Sequence, residues 1–198
     1  DKNTDVTITV TNRLLKAEAT ILKVGEEGER LSGATFALYG PFALDEEITK
    51  DNLTAEKHLR SDITTGADGT ATFQVDLNNS AGNKFALVET TAPDGYVKDV
   101  TPHIFTLTPG ESATADADHP ELRIENRRGI TLQLNKFGGL RDTDPELLLD
   151  EVTFMLWQKD GGNWQSIGTL RTENGIAISV PLDPGGIYAV SESSTLTG

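Results

Sequence analysis

Polar and apolar residues alternate one by one along much of the chain. Val6, Ile8 and Val10 are interleaved with Thr7, Thr9 and Thr11, and Ile130, Leu132 and Leu134 with Thr131, Gln133 and Asn135. Neighbouring side chains of an extended strand point to opposite faces, so this spacing predicts strands with one face in a core. Turn-forming groups separate the runs: Asp68-Gly69, Pro93-Asp94-Gly95, Asp160-Gly161-Gly162-Asn163 and Asn174-Gly175. Many short strands punctuated in this way predict an all-β sandwich. The segment of about Leu44–Leu59 is richer in Glu, Lys and Ala and predicts a short helix inserted in a loop.

The pattern recurs within the chain. Leu31-Ser32-Gly33-Ala34-Thr35-Phe36-Ala37-Leu38-Tyr39 aligns with Leu149-Asp150-Glu151-Val152-Thr153-Phe154-Met155-Leu156-Trp157, and Lys84–Glu89 aligns with Ile187–Glu192. A lysine ends the apolar strand ahead of each pair, Lys23 after Ile21 and Lys136 after Leu134. A third alignment, Leu122–Arg127 with Ile8–Arg13, suggests boundaries. Residues 1–13 read as the closing strand of a preceding domain, 14–128 as a complete domain, and 129–198 as a second domain that lacks its last strand.

Three polar residues stand where the alternation predicts core positions. Lys23 continues the row Ala19, Ile21; Glu89 continues Phe85, Leu87; Asn126 continues Leu122, Ile124. An unpaired charge in a core costs several kcal/mol, so three such residues in matching places are expected to meet. Desolvation then lowers the lysine pKa and raises the glutamate pKa. Neutral Lys23 becomes a nucleophile, Asn126 supplies the carboxamide, and protonated Glu89 polarises that amide and passes a proton to departing ammonia. The expected product is a Lys23–Asn126 amide formed once per molecule, so no enzyme with an external substrate is expected.

Composition narrows the setting. A formal charge of −14, from 17 basic and 31 acidic residues, disfavours nucleic acid as a partner. The chain has no cysteine, so a covalent tie cannot be a disulfide. No apolar run is long enough for a membrane span. The opening Asp1-Lys2-Asn3-Thr4 carries no signal peptide and reads as the start of a mature segment, while the final Thr195-Leu196-Thr197-Gly198 lacks the proline and hydrophobic tail of a sorting signal.

At these residues the chain resembles the CnaB-type, SpaA-like (prealbumin-like) domains of Gram-positive pilins and surface adhesins. Glu89-Thr90-Thr91-Ala92-Pro93-Asp94-Gly95-Tyr96 resembles the family's E-box, E-T-x-A-P-x-G-Y, and Leu31–Phe36 resembles its L-x-G-A-x-F strand. The resemblance implies tandem immunoglobulin-like β-sandwiches, a Lys23–Asn126 isopeptide bond with Glu89 as catalyst, and a sortase-anchored protein of the cell wall or pilus. Its implied partners are neighbouring domains or subunits of the same assembly, with no cofactor. The second repeat keeps Lys136 and Glu192 as a candidate second site, but Ser193-Ser194-Thr195 replaces the proline-containing continuation. Asn12 is a candidate acceptor belonging to the preceding domain.

A rival reading is an adhesin module that binds host matrix protein or glycan through the Gly40–Thr65 loop or the Trp157 and Trp164 surface. Trp157 is expected opposite Val152, Phe154 and Leu156, and both tryptophans at a domain junction. His58, His103 and His119 lack a nucleophile motif around them. Asp116, Asp118 and His119, and likewise Asp142, Asp144 and Glu146, lack the full oxygen spacing of a calcium loop, so no metal site is expected.

Overall fold

The structure, a computed structural model, describes residues 15–138 and 147–193. The strand expected at 1–13 with Asn12, and the acidic group Asp142, Asp144 and Glu146, lie outside the described residues. The chain divides into two compact units, one of residues 1–91 and 99–125 and the other of 92–98 and 126–198.

In the first unit the strands are β1 (Leu15–Gly25), β2 (Thr35–Phe42), β3 (His58–Thr64), β4 (Thr70–Leu77), β5 (Asn83–Thr91), β6 (His103–Leu107) and β7 (Ser112–Thr114). Strand β8 (Arg123–Asn126) follows and ends at the boundary between the units. One sheet has the order β4-β1-β7, with β8 also paired to β1, and the other has the order β3-β2-β5-β6. Alternation is visible directly in β4, where Ala71, Phe73, Val75 and Leu77 are buried and the residues between them are not. The apolar faces of the two sheets build one core around Ile21, Phe36, Phe73, Phe85, Leu87, Phe105 and Ile124. Phe105 joins the sheets, edge-on to Phe73 at 6.1 Å and stacked on Phe85 at 5.7 Å.

The expected helix in Leu44–Leu59 is reduced to one 3-10 turn, Lys50–Asn52. Its closure is local, as where Asn52 Oδ1 accepts the Thr49 N–H at 2.8 Å and Asn52 Nδ2 donates to Glu47 O at 2.7 Å, and the turn buries no residue. An amphipathic stripe is what stabilises a short helix, and this segment has none.

The second unit contains β9 (Gln133–Asn135), β10 (Phe137–Gly138), β11 (Leu147–Leu148), β12 (Thr153–Asp160), β13 (Asn163–Arg171), β14 (Ile176–Ile178) and β15 (Tyr188–Glu192). Strand β12 lies between β13 and β15, and β9 pairs with β14. Its core is small, with Val152, Phe154, Leu156, Leu170, Ala177 and Leu182 buried. A register shift follows Leu156, and Trp157 is half-buried with its indole N–H donated to Ser191 Oγ at 2.9 Å. Trp164 is 47% exposed.

Several contacts of the first unit have counterparts in the second. Lys23 N–H donates to Gly69 O at 2.8 Å and Lys136 N–H to Gly175 O at 2.7 Å. Leu31 N–H donates to Lys23 O at 3.0 Å and Leu149 N–H to Lys136 O at 3.1 Å. The Thr65 hydroxyl bridges Ala34 N–H and Leu31 O, as the Thr172 hydroxyl bridges Val152 N–H and Leu149 O. Phe36 is in register with Glu89, and Phe154 with Glu192.

Gly69 shows why these turns carry glycine. Its φ is +73°, and a Cβ there would lie 2.8 Å from Lys23 O. Both features are strained for any L side chain. Gly69→Ala is expected to lower unfolding free energy by about 1–3 kcal/mol in urea denaturation, whereas Gly28→Ala, which meets no atom within 4 Å at φ +80°, is expected to lose less.

Candidate functional site

Strand β1 carries its apolar row inward as far as Ile21 and then places Lys23 in the same row. The lysine is 0% exposed. Its Nζ donates to Ile124 O of β8 at 3.3 Å and lies 4.0 Å from Glu89 Oε1. Burial pushes the Lys23 ammonium down from 10.5 to about 8, against the opposing pull of the Glu89, Asp99 and Glu125 charges. An amine with that pKa is roughly a tenth neutral near pH 7, over a hundredfold more than an exposed lysine.

Glu89 reaches the same place from the opposite sheet. It continues the inward row Phe85, Leu87 of β5 and is 1% exposed. Its Oε2 accepts the Asp99 N–H at 2.8 Å. Asn126, the last residue of β8, is 2% exposed. The three residues singled out from alternation are thus all buried, on strands β1, β5 and β8. A long ammonium stem and a carboxyl are almost never fully buried unless their polar ends have work to do.

The residues after Glu89 have a separate task. Thr90 Oγ1 donates to Thr35 O at 3.0 Å, which fastens the end of β5 to β2. Within the second unit, Gly95, with φ +82°, accepts the Gly129 N–H at 2.8 Å, and Val97 N–H donates to Arg127 O at 2.9 Å. Tyr96 is buried and the Arg128 guanidinium lies over its ring at 5.6 Å. The Pro93–Val97 loop therefore grips the backbone just after Asn126. Sequence reasoning singled out the motif but not this contact, because main-chain pairing leaves no residue signature.

Lys136 and Glu192 also meet, with Nζ 2.9 Å from Oε2. Each side chain is 29% exposed, so this pair is a solvated salt bridge where Lys23–Glu89 is sealed. Among the described residues β9 pairs with β14 alone, while β1 pairs with β4, β7 and β8.

The other candidates have structural surroundings. His119 lies between Glu111 at 2.9 Å and Glu121 at 3.1 Å, and its bond to Glu121 holds its pKa above the ordinary value. Asp116 caps the same turn, accepting the N–H groups of Asp118 and His119. His58 contacts Ser61 at 2.6 Å on exposed strand β3. His103 pairs with Asp99 at 3.0 Å. Among the described residues no group of His, Asp and Glu is placed to hold a metal ion, and no helix is long and apolar enough to cross a membrane.

Among solved structures the chain is similar to a streptococcal ancillary pilin, at 17% identity and a TM-score of 0.50, over 93% of this chain and 55% of that one. It is also similar to GBS52, the minor pilin of Streptococcus agalactiae, at 19% identity and a TM-score of 0.43, over 92% and 85% of the two chains. For the TIE protein of Bacillus anthracis the values are 19% and 0.38, over 91% and 28%. The chain thus spans 28% of the TIE protein and 55% of the ancillary pilin. No curated protein matches the chain. Residues 17–120, just over half of the sequence, match the SpaA prealbumin-like fold domain, and the chain belongs to that family.

Proposed function

We propose that the chain is a structural module of a Gram-positive surface assembly, a pilin or adhesin stalk, tied internally by a self-formed amide between Lys23 and Asn126 with Glu89 as catalyst. The observation that carries this reading is the sealed Lys23–Glu89 pair, 4.0 Å apart with both side chains 0% exposed. A salt bridge in that position is a poor source of stability, since its desolvation penalty rivals its Coulombic gain. It is a good arrangement for moving a proton between an amine and a carboxyl.

In the proposed reaction, neutral Lys23 Nζ attacks Asn126 Cγ while protonated Glu89 hydrogen-bonds the amide oxygen and makes that carbon more electrophilic. The Nζ–Cγ bond forms and the Cγ–Nδ2 bond breaks. One proton leaves Nζ and is passed through the Glu89 carboxyl to the departing nitrogen, which leaves as ammonia. No oxidant, metal or cofactor is consumed, and Glu89 ends as it began. Amide exchange is slow in water, but reactants held in contact gain an effective molarity of about 10⁵ M or more. The reaction runs once per molecule.

The proposed function is mechanical. The bond joins the first and last strands of the first unit, β1 and β8, which already pair. Tension applied at the two ends of the sandwich would then be carried by a covalent link and not by the ladder. The link closes a loop of about 100 residues, which by the entropy model for crosslinks removes about 4.7 kcal/mol of unfolded-state freedom.

Intact mass spectrometry tests the reading. Wild type is expected to be lighter than its sequence by one ammonia, and Glu89→Ala to have the full sequence mass; a wild type at full mass overturns it. A deficit of two ammonias would mean that Lys136 had also found an acceptor.

Asn126→Ala is expected to lose about 4–5 kcal/mol in urea denaturation. In that unlinked variant, the depressed Lys23 pKa gives a definite pH dependence. Below about pH 8 both folded and unfolded states hold the proton. Between about 8 and 10.5 the unfolded state binds more protons, so stability rises with pH, by roughly 3 kcal/mol over the window. The same scan on Lys23→Met/Asn126→Ala is expected to lack that rise.

A further inference from the structure

Glu89 is anchored from outside its own strand. Its Oε2 takes the backbone N–H of Asp99 at 2.8 Å, from the segment that leads into β6. A backbone amide keeps a carboxyl in place only if the backbone itself is held. Here the Asp99 side chain does that holding. Its Oδ1 accepts the Thr101 N–H at 2.8 Å, closing a turn over the next two residues, and its Oδ2 lies 3.0 Å from His103 Nε2. His103 is the first residue of β6 and is in register with Leu87, two residues before Glu89 on β5. Directly opposed residues of an antiparallel pair share a face. His103 therefore stands on the same side of the sheet as Leu87 and Glu89, and the Asp99–His103 pair closes a loop from β6 back to the Glu89 carboxyl. Both side chains are mostly buried, at 29% and 21% exposure. Fold stability gives no evident reason for this arrangement, because Asp99 caps no helix and His103 fills no part of the main apolar core.

We infer that Asp99 and His103 are positioning residues for bond formation: together they lock the loop whose Asp99 N–H orients the Glu89 carboxyl toward Lys23. Neither touches the reacting atoms. Each acts on the geometry of Glu89, and the inference rests on the Lys23–Asn126 reaction proposed above. A carboxyl left free to rotate about its terminal torsion spends only part of its time with the correct oxygen toward the amine, and small misplacements of a catalytic group slow reactions out of proportion to their size. The charge of Asp99 works against the reaction, since it is among the charges that favour protonated Lys23. Its contribution is therefore geometric, and the two effects separate on substitution.

The experiment is a cell-free translation pulse of the full chain, with intact mass followed over time to read ammonia loss. Wild type, Asp99→Ala, Asp99→Asn, His103→Ala and His103→Gln are compared, with Glu89→Ala as the zero-rate control. Asp99→Ala and His103→Ala are expected to close at least ten-fold more slowly than wild type. Asp99→Asn keeps an oxygen for the Thr101 N–H and removes the charge, so it is expected to regain most of the lost rate, and His103→Gln likewise. Each substitution is also placed in the Glu89→Ala background, where no bond forms, and its thermal midpoint is measured. Alanine variants that close at the wild-type rate overturn the inference. So does slowing that follows the loss of thermal midpoint, with no recovery in the Asn and Gln variants, because that is the signature of a purely structural role. If wild type itself loses no ammonia, the underlying reaction fails; if wild type closes and Glu89→Ala does not, the reaction stands and the variants judge the positioning alone.

Discussion

The structure turns on a single unfavourable burial: a lysine and a glutamate inserted into an apolar core with no solvent beside them. Lys23 sits at the end of an inward row that is otherwise Ala and Ile, and Glu89 directly follows Phe85 and Leu87 in its own. Each lies close to the other and to a main-chain partner, Ile124 O for the amine and Asp99 N–H for the carboxyl. Those partners satisfy hydrogen bonds but do not restore hydration, so the lysine pKa is held down at about 8. An amide bond would remove the problem outright, replacing a buried base with a neutral linkage.

The second unit shows what sets that condition. Its Lys136–Glu192 pair is built on the same backbone hydrogen bonds and the same Phe–Glu register as Lys23–Glu89, yet it is a close, part-exposed salt bridge. The difference is in the cover. In the first unit β8 pairs with β1 and brings Ile124 into the core, with Leu122 from the turn just before it. Among the described residues the second unit has no strand in the equivalent place, and it leaves Ile178, Val180 and Ile187 at 59–69% exposure. Strand-and-turn scaffolding brings an amine and a carboxyl together in both units, and in the first unit β8 adds cover to the pair.

Much of this was legible in the sequence, for a simple reason. Period-two alternation decides which face of a strand is buried, so placing Lys23, Glu89 and Asn126 in apolar rows needed only counting by two. The turn glycines Gly69 and Gly175 and the hydroxyls Thr65 and Thr172 make matching contacts in the two units. Other features were not legible. The Leu44–Leu59 segment has helix-favouring residues but nothing for a helix to bury, so composition misled there. The contacts of the Asp99 N–H with Glu89, and of Gly95 and Val97 with the backbone after Asn126, pass through main-chain amides and carbonyls, which any residue supplies and no sequence pattern announces.

The Lys23–Asn126 bond is tested most directly by tandem mass spectrometry of a protease digest of the purified chain. A self-formed bond predicts one branched peptide in which the segment containing Lys23 is joined through its ε-nitrogen to the side chain of Asn126, with ammonia lost. Recovery of linear peptides alone, with Lys23 free and Asn126 an intact carboxamide, would contradict it.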